Sequence, residues 1–123
     1  MYKLFLDDER LPHRVTWVEL PNGPWVSVKN YDQFVSYIKD NGIPEFVSFD
    51  HDLADEHYPS GVSKTKPEYH KYREKTGYDC AKWLVEYCMD NNKQFPAYEV
   101  HSMNPIGKIN IRSLIENFKN TIK

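Results

Sequence analysis

The chain has 123 residues and a net charge of −2, from 16 Lys and Arg against 18 Asp and Glu. This near-neutral balance disfavours a protein that binds duplex DNA through a broad basic face. Apolar residues make up 40% of the chain and aromatic residues 15%, which is enough to bury a core. No run approaches the roughly 18 apolar residues that a membrane helix needs. We therefore expect one domain over residues 1–123, with no membrane contact and a cytoplasmic location.

Four short apolar runs are typical of buried strands, and each is bounded by polar or turn-forming residues. They lie at residues 2–6, 25–28, 46–49 and 97–100. Residues 11–24 contain three prolines and an Asn-Gly pair, so we predict mostly loop there. Residues 54–75 show no apolar periodicity, and we predict a long loop insertion, which in other proteins is often a lid or a binding loop.

Three helices are predicted from apolar periodicity and end signals. The first follows a cap at Asn30 or Asp32 and stops before Gly42. The second begins at Thr76, which with Asp79 has the spacing of a capping box. The last is predicted to be capped by Asn110 and to bury a stripe that ends near residue 122. Cys80 and Cys88 fall on the second helix, about 12 Å apart at 1.5 Å per residue, which is too far for a disulfide. We expect both to be reduced core thiols.

Strands separated by helices require right-handed crossovers between parallel neighbours. The expected fold class is therefore α/β, a small three-layer sandwich with a mostly parallel sheet of about four strands. In such a sheet all carboxyl ends lie at one edge, where ligands bind.

Polar clusters follow three of the predicted strands. They are Asp7-Asp8-Glu9-Arg10, Asp50-His51-Asp52 and His101-Ser102. Taken singly, Asp7-Asp8 could be a solvated turn and His101 a structural histidine, whereas the three ionisable residues at 50–52 are harder to explain in this way. Together at one sheet edge they predict a cleft, because several unpaired charges cannot be buried cheaply.

The types of residue at this edge suit a ligand that carries a phosphate. Paired carboxylates bind a hard cation such as Mg²⁺, and two imidazoles can act as general base and general acid. Ser102, Asn104 and the backbone amides near Gly107 offer donors to an anion, and Arg10 offers a bidentate contact. The sequence lacks a G-x-S-x-G elbow, so acyl transfer is disfavoured, and it also lacks a P-loop.

Four blocks of the sequence are similar to one known family. They are Leu4-Phe5-Leu6-Asp7-Asp8-Glu9-Arg10-x-Pro12, Phe49-Asp50-His51-Asp52-Leu53, Thr76-Gly77-Tyr78-Asp79-x-Ala81-x-Trp83-Leu84 and Val100-His101-Ser102-x-Asn104-Pro105-x-Gly107-x-x-Asn110. Together they resemble the cyclic-phosphate-processing receiver-like domains of bacteria and their phages, a variant of the response-regulator receiver fold with fewer strands.

The resemblance implies processing of cyclic phosphates, on nucleotides or at RNA ends. Asp7 and Asp8 resemble the acidic metal-binding pair of receivers, Asp50 their phospho-accepting aspartate and Ser102 their switch residue. Receivers carry a lysine after a fifth strand, which has no counterpart here, and their pattern lacks His51 and His101. These differences disfavour phosphorylation by a kinase and favour direct chemistry on a bound phosphate.

The leading hypothesis is a hydrolase, a phosphodiesterase acting on a cyclic nucleotide or an RNA 2′,3′-cyclic phosphate. Its predicted catalytic residues are His51, His101 and Asp50. The predicted substrate-binding residues are Arg10, Ser102, Asn104, Gly107 and Asn110, and the predicted ligands of Mg²⁺ or another divalent cation are Asp7, Asp8 and Asp50. No organic cofactor is expected. Two alternatives stay open: a non-catalytic binder or sponge for the same ligands, and a degenerate signalling receiver.

Overall fold

The computed structural model describes residues 2–53 and 76–121. The strands are β1 (Lys3–Leu6), β2 (Trp25–Val28), β3 (Phe46–Phe49) and β4 (Ala97–Val100). All neighbouring pairs are parallel, in the order β2-β1-β3-β4. The helices are α1 (Tyr31–Asn41), α2 (Gly77–Asp90) and α3 (Pro105–Thr121). The predicted loop at 54–75 lies outside the described residues.

The helix starts follow local capping chemistry. Asn30 caps α1, its side chain accepting a hydrogen bond from the Gln33 amide, and Thr76 and Asp79 form the predicted capping box of α2. The prediction that Asn110 caps the last helix is wrong, because α3 already begins at Pro105. Its first turn is instead capped by Asn104, and proline is well suited to the first helical position because its missing N–H has no partner there.

All three helices pack on one face of the sheet. Leu4, Leu6, Val47 and Phe49 project from the strands into a single core cluster that includes buried residues of α1, α2 and α3. This arrangement follows from topology, since both crossovers from β2 to β3 and from β3 to β4 run in the same direction across the sheet and have the same hand.

The opposite face is covered by the connection between β1 and β2. Phe5 projects to this face and has no exposed surface, and its ring contacts Trp25 edge to face. Val15 of the connection is buried and lies beside Trp25. The connection is loop except for one short 3₁₀ helix, Pro12–Arg14. The structure is thus an α/β receiver-like fold with a reduced number of strands, as the sequence predicts. The second outer layer of the expected sandwich is formed by this connection and not by helices.

Two further expectations concern the cysteines and the membrane. Cys80 and Cys88 are both buried, and neither forms a disulfide, as predicted. Among the described residues, none of the helices combines the length and apolar character needed to cross a bilayer.

Candidate functional site

Three ionisable side chains from three different strands meet at the carboxyl edge of the sheet. Asp7, Asp50 and His101 are each the first residue after β1, β3 and β4. The strand register aligns the last residues of these strands, so the side chains that follow them lie side by side. One potential ligand atom from each lies within 4.8 Å of the others, and all three residues are buried. We call this group the carboxylate cluster.

Asp7 is held by four hydrogen bonds. Its Oδ1 accepts from the backbone amides of Glu9 and Arg10, both at 2.8 Å. Its Oδ2 accepts from Arg10 Nη1 at 3.2 Å and from His101 Nε2 at 3.0 Å. Burial alone would raise the pKa of Asp7, but the hydrogen bonds from His101 and the two amides outweigh it and lower the pKa. Asp7 is therefore ionised at neutral pH.

His101 is enclosed on all sides. Its ring has no exposed surface and stacks on Phe5 with ring centroids 4.5 Å apart. The ionised Asp7 requires a proton on Nε2, and Nδ1 lies 2.6 Å from the Ser48 hydroxyl. The Trp17 indole N–H covers the residue from outside, donating to its carbonyl at 2.7 Å. With both ring nitrogens bonded, His101 holds Asp7 in place.

Asp50 has a different environment. It is 6% exposed, its Oδ1 accepts from the His51 amide at 2.8 Å, and its Oδ2 lies 3.9 Å from Arg10 Nη1. Burial, and then the nearby negative charge of Asp7, raise the pKa of Asp50 to about 6. The two buried carboxylates thus differ, one firmly ionised and one that titrates near neutral pH.

The carboxylate cluster has the chemistry of a cation site. The two carboxylates fit a hard divalent cation by donor type, whereas both ring nitrogens of His101 are already bonded to Asp7 and Ser48. Asp8 follows Asp7 directly and is half-buried. The Arg10 guanidinium contacts Asp7 and lies near Asp50, so it already supplies positive charge there. A metal ion between the two carboxylates would replace Arg10.

His51 lies on the other side of the strand edge, toward the helices. Its ring packs against Gly107 of α3, where an added Cβ would come within 2.4 Å of the ring. Its Nδ1 lies 3.0 Å from Asp52 Oδ1, and Asp52 Oδ2 accepts from Asn104 Nδ2 at 3.3 Å. In the neutral ring, a carboxylate facing Nδ1 favours the tautomer with the proton on Nδ1 and the lone pair on Nε2.

A groove opens beside His51 between α2 and α3. Its volume is about 560 Å³. Its described lining, here called the groove residues, consists of His51, Thr76, Tyr78, Asp79, Asn110, Ser113, Leu114 and Asn117. The predicted substrate-binding residue Asn110 lies here, in the second turn of α3 and away from the helix start.

The other predicted anion donors shape the start of α3. The Ser102 hydroxyl accepts from the Asn104 amide at 3.1 Å, and Asn104 Oδ1 accepts from the Gly107 amide at 3.0 Å. These donors and acceptors therefore satisfy one another within the turn. Binding of an anion by Ser102, Asn104 and Gly107 stays a prediction. It requires these hydrogen bonds within the turn to be replaced by hydrogen bonds to the anion.

Several site residues were missed by sequence reasoning. Ser48 is a polar residue within the otherwise apolar strand Phe46–Phe49. This interruption was the signal in the sequence that a buried polar partner, here His101, lies opposite it. Trp17 lies in a loop without periodicity, and Ser113 and Asn117 are ordinary exposed helix positions. Nothing local in the sequence marks these three.

The fold and the site together define a receiver-like domain. The parallel sheet in the order β2-β1-β3-β4, with acidic residues after β1 and β3, is the frame of this class, and a buried imidazole after β4 is added to it. Residues 2–117 match the family described as the cyclic-phosphate processing receiver domain, and the chain belongs to this family. No curated protein and no solved structure gives a match to the chain.

Proposed function

We propose that this domain hydrolyses a cyclic phosphate on a nucleotide or at an RNA end, using His51 as the proton-transfer residue beside the carboxylate cluster. The observation that carries the proposal is the meeting of Asp7, Asp50 and His101 within 4.8 Å. The residue after Asp50 is His51, whose side chain is 18% exposed and lines a groove. The family to which the chain belongs is named for cyclic-phosphate processing.

In this proposal a water molecule attacks phosphorus and one ring P–O bond breaks. The Nε2 atom of His51 accepts the proton of the attacking water, and the leaving ribose oxygen takes a proton from solvent. Asp52 holds the ring in the tautomer that this step needs, and Asn104 holds Asp52. Arg10, with its side chain 30% exposed, pairs with a non-bridging phosphate oxygen.

The carboxylate cluster is assigned an electrostatic and positioning role. His101 was predicted to transfer a proton to the substrate, but its burial leads us to assign it the positioning of Asp7. A divalent cation would be held by Asp7, Asp8 and Asp50, and when bound it would neutralise charge on the phosphate. This cation site is part of the proposal.

The test is a panel of nucleoside 2′,3′- and 3′,5′-cyclic phosphates and an RNA with a 2′,3′-cyclic end, followed by ³¹P NMR with Mg²⁺ or with EDTA. His51→Ala is expected to lower turnover at least 100-fold, the typical contribution of a positioned acid or base. His13→Ala, an exposed histidine on the 3₁₀ helix, is the matched control and should keep full activity. Equal turnover by both variants would refute the role of His51.

A non-catalytic binder is the second candidate, favoured by the enclosure of His101, which leaves one accessible imidazole at the described edge. The same incubations separate the two functions if the protein is then denatured by heat. A linear phosphomonoester in the supernatant supports hydrolysis. Intact cyclic ligand, recovered in stoichiometric amount, supports binding alone.

A further inference from the structure

The groove between α2 and α3 has a composition that the chemistry at His51 does not use. Two side-chain amides and a hydroxyl, from Asn110, Asn117 and Ser113, line one wall at a spacing of three and four residues, which places them on one stripe of α3. Tyr78 lines the groove from α2. All three α3 residues are exposed, so these polar groups are not needed to satisfy the core.

The charge of the groove indicates which part of a ligand it suits. Its described lining contains no Lys or Arg. Its one carboxylate, Asp79, is already occupied by the capping box, accepting from the Thr76 amide at 2.8 Å. The described lining offers no cation to a second phosphate group, whereas its paired amides, hydroxyl and aromatic ring suit an uncharged polar ligand with a flat face.

We propose that the groove residues bind the nucleoside of the ligand whose cyclic phosphate lies at His51. The inference rests on the proposed function, and it adds the place on the protein where the nucleoside of that substrate binds. The ring of Tyr78 stacks on the base, the amides of Asn110 and Asn117 bond to its edge, and Ser113 bonds to a ribose hydroxyl. These are the contacts by which proteins read unpaired bases.

The size of the groove and its position beside His51 agree with this assignment. The groove volume of about 560 Å³ is within the range of roughly 300–1,000 Å³ that is usual for small-molecule sites. His51 belongs both to the groove and to the loop that carries Asp50. A ligand with its phosphate at His51 can therefore extend its nucleoside along α3 without crossing the sheet edge.

The experiment compares ligands with and without a base. The double variant Asn110→Ala/Asn117→Ala removes the amide wall, and Asn120→Ala, an exposed asparagine one turn further along α3, is the matched control. Dissociation constants are measured by calorimetry for adenosine and uridine 2′,3′- and 3′,5′-cyclic phosphates, for a short RNA with a 2′,3′-cyclic end, and for glycerol 1,2-cyclic phosphate. Thermal midpoints establish that both variants are folded.

The double variant is expected to bind the nucleoside cyclic phosphates at least tenfold more weakly than the unmodified protein. It should bind glycerol 1,2-cyclic phosphate within twofold of the unmodified protein, and the control should match the unmodified protein for every ligand. Preference for the RNA or for a mononucleotide identifies the source of the nucleoside. Unchanged binding of the nucleoside ligands by the double variant overturns the proposal, as does the absence of nucleoside binding at millimolar concentration.

The outcome for the groove is separable from that for hydrolysis. Ligands that bind in a groove-dependent manner and stay intact refute the proposed hydrolysis and support the nucleoside site. Hydrolysis that is indifferent to the double variant, with an equal KM for nucleoside and glycerol substrates, supports the chemistry and refutes the nucleoside site.

Discussion

Replacing Asp50 by Asn tests whether this buried carboxyl opposes folding at neutral pH. In the folded protein burial and the charge of Asp7 raise the pKa of Asp50 from 3.8 to about 6. Between these two values the folded state binds more protons than the unfolded state, so stability falls as pH rises through this window. The difference of about 2 pKa units corresponds to about 3 kcal/mol.

Asn is isosteric with Asp and keeps an oxygen for the His51 amide. It removes the ionisation and the repulsion from Asp7, and it also loses the attraction to Arg10. Asp50→Asn is therefore expected to be more stable than the unmodified protein by about 1–3 kcal/mol at pH 7.5. At pH 4.5, which is only a little above the ordinary pKa of 3.8, this difference should be about a third as large. Asp7, with its lowered pKa, acts in a separate window, because its contribution is present above pH 3.8 and is lost as pH falls through its folded pKa.

The assay is urea unfolding followed by tryptophan fluorescence at pH 4.5, 6 and 7.5, with EDTA in every buffer to keep divalent cations away from the carboxylate cluster. Asp40→Asn, at an exposed position on α1, is the control and should change the free energy of unfolding by less than about 0.5 kcal/mol. The reasoning is refuted if Asp50→Asn is no more stable than the unmodified protein at pH 7.5, or if both lose the same free energy between pH 4.5 and 7.5.

Three further predictions follow from contacts at the site. Gly107→Ala should lower turnover at least tenfold, because an added Cβ would displace the His51 side chain at its Cγ and Cβ. The same clash should lower the free energy of unfolding by up to about 2 kcal/mol, since overpacking costs about 1–3 kcal/mol and the helix preference of alanine offsets about 1 kcal/mol. Kinetics and urea unfolding test the two expectations. His101→Ala should cost about 3–5 kcal/mol in urea unfolding, since it leaves the buried Asp7 carboxylate without its partner. Arg10→Gln should tighten Mg²⁺ binding about fivefold or more in calorimetry, because a competing cation is removed.

Each of these has a result that contradicts it. Full activity of Gly107→Ala would mean that the position of the His51 ring does not matter for turnover. A His101→Ala variant as stable as the parent would show that the hydrogen bond to Asp7 is not structural. Weaker Mg²⁺ binding by Arg10→Gln would place the cation away from the two carboxylates.

Local patterns determined most of the secondary structure. Four-residue apolar runs bounded by turn residues have few alternatives to buried strands, and the Thr76 capping box marks its helix by side-chain chemistry that acts within one turn. The start of α3 was misjudged because Pro105 and Gly107 looked like loop residues. Proline is tolerated in the first turn, and the glycine is explained only by the His51 ring, which leaves no room for a Cβ.

The sequence by itself determined that the chain is an α/β domain and that acids and imidazoles follow its strands, because a strand and the residues that follow it are properties of short segments. Only the tertiary structure decided what each group does. It enclosed His101 between Phe5 and Trp17, and it placed His51 in the lining of a groove. It also gave the two buried aspartates different pKa values, lowered for Asp7 and raised for Asp50. These outcomes depend on which faces of the sheet the helices and the β1–β2 connection cover, and therefore on contacts between residues far apart in the chain.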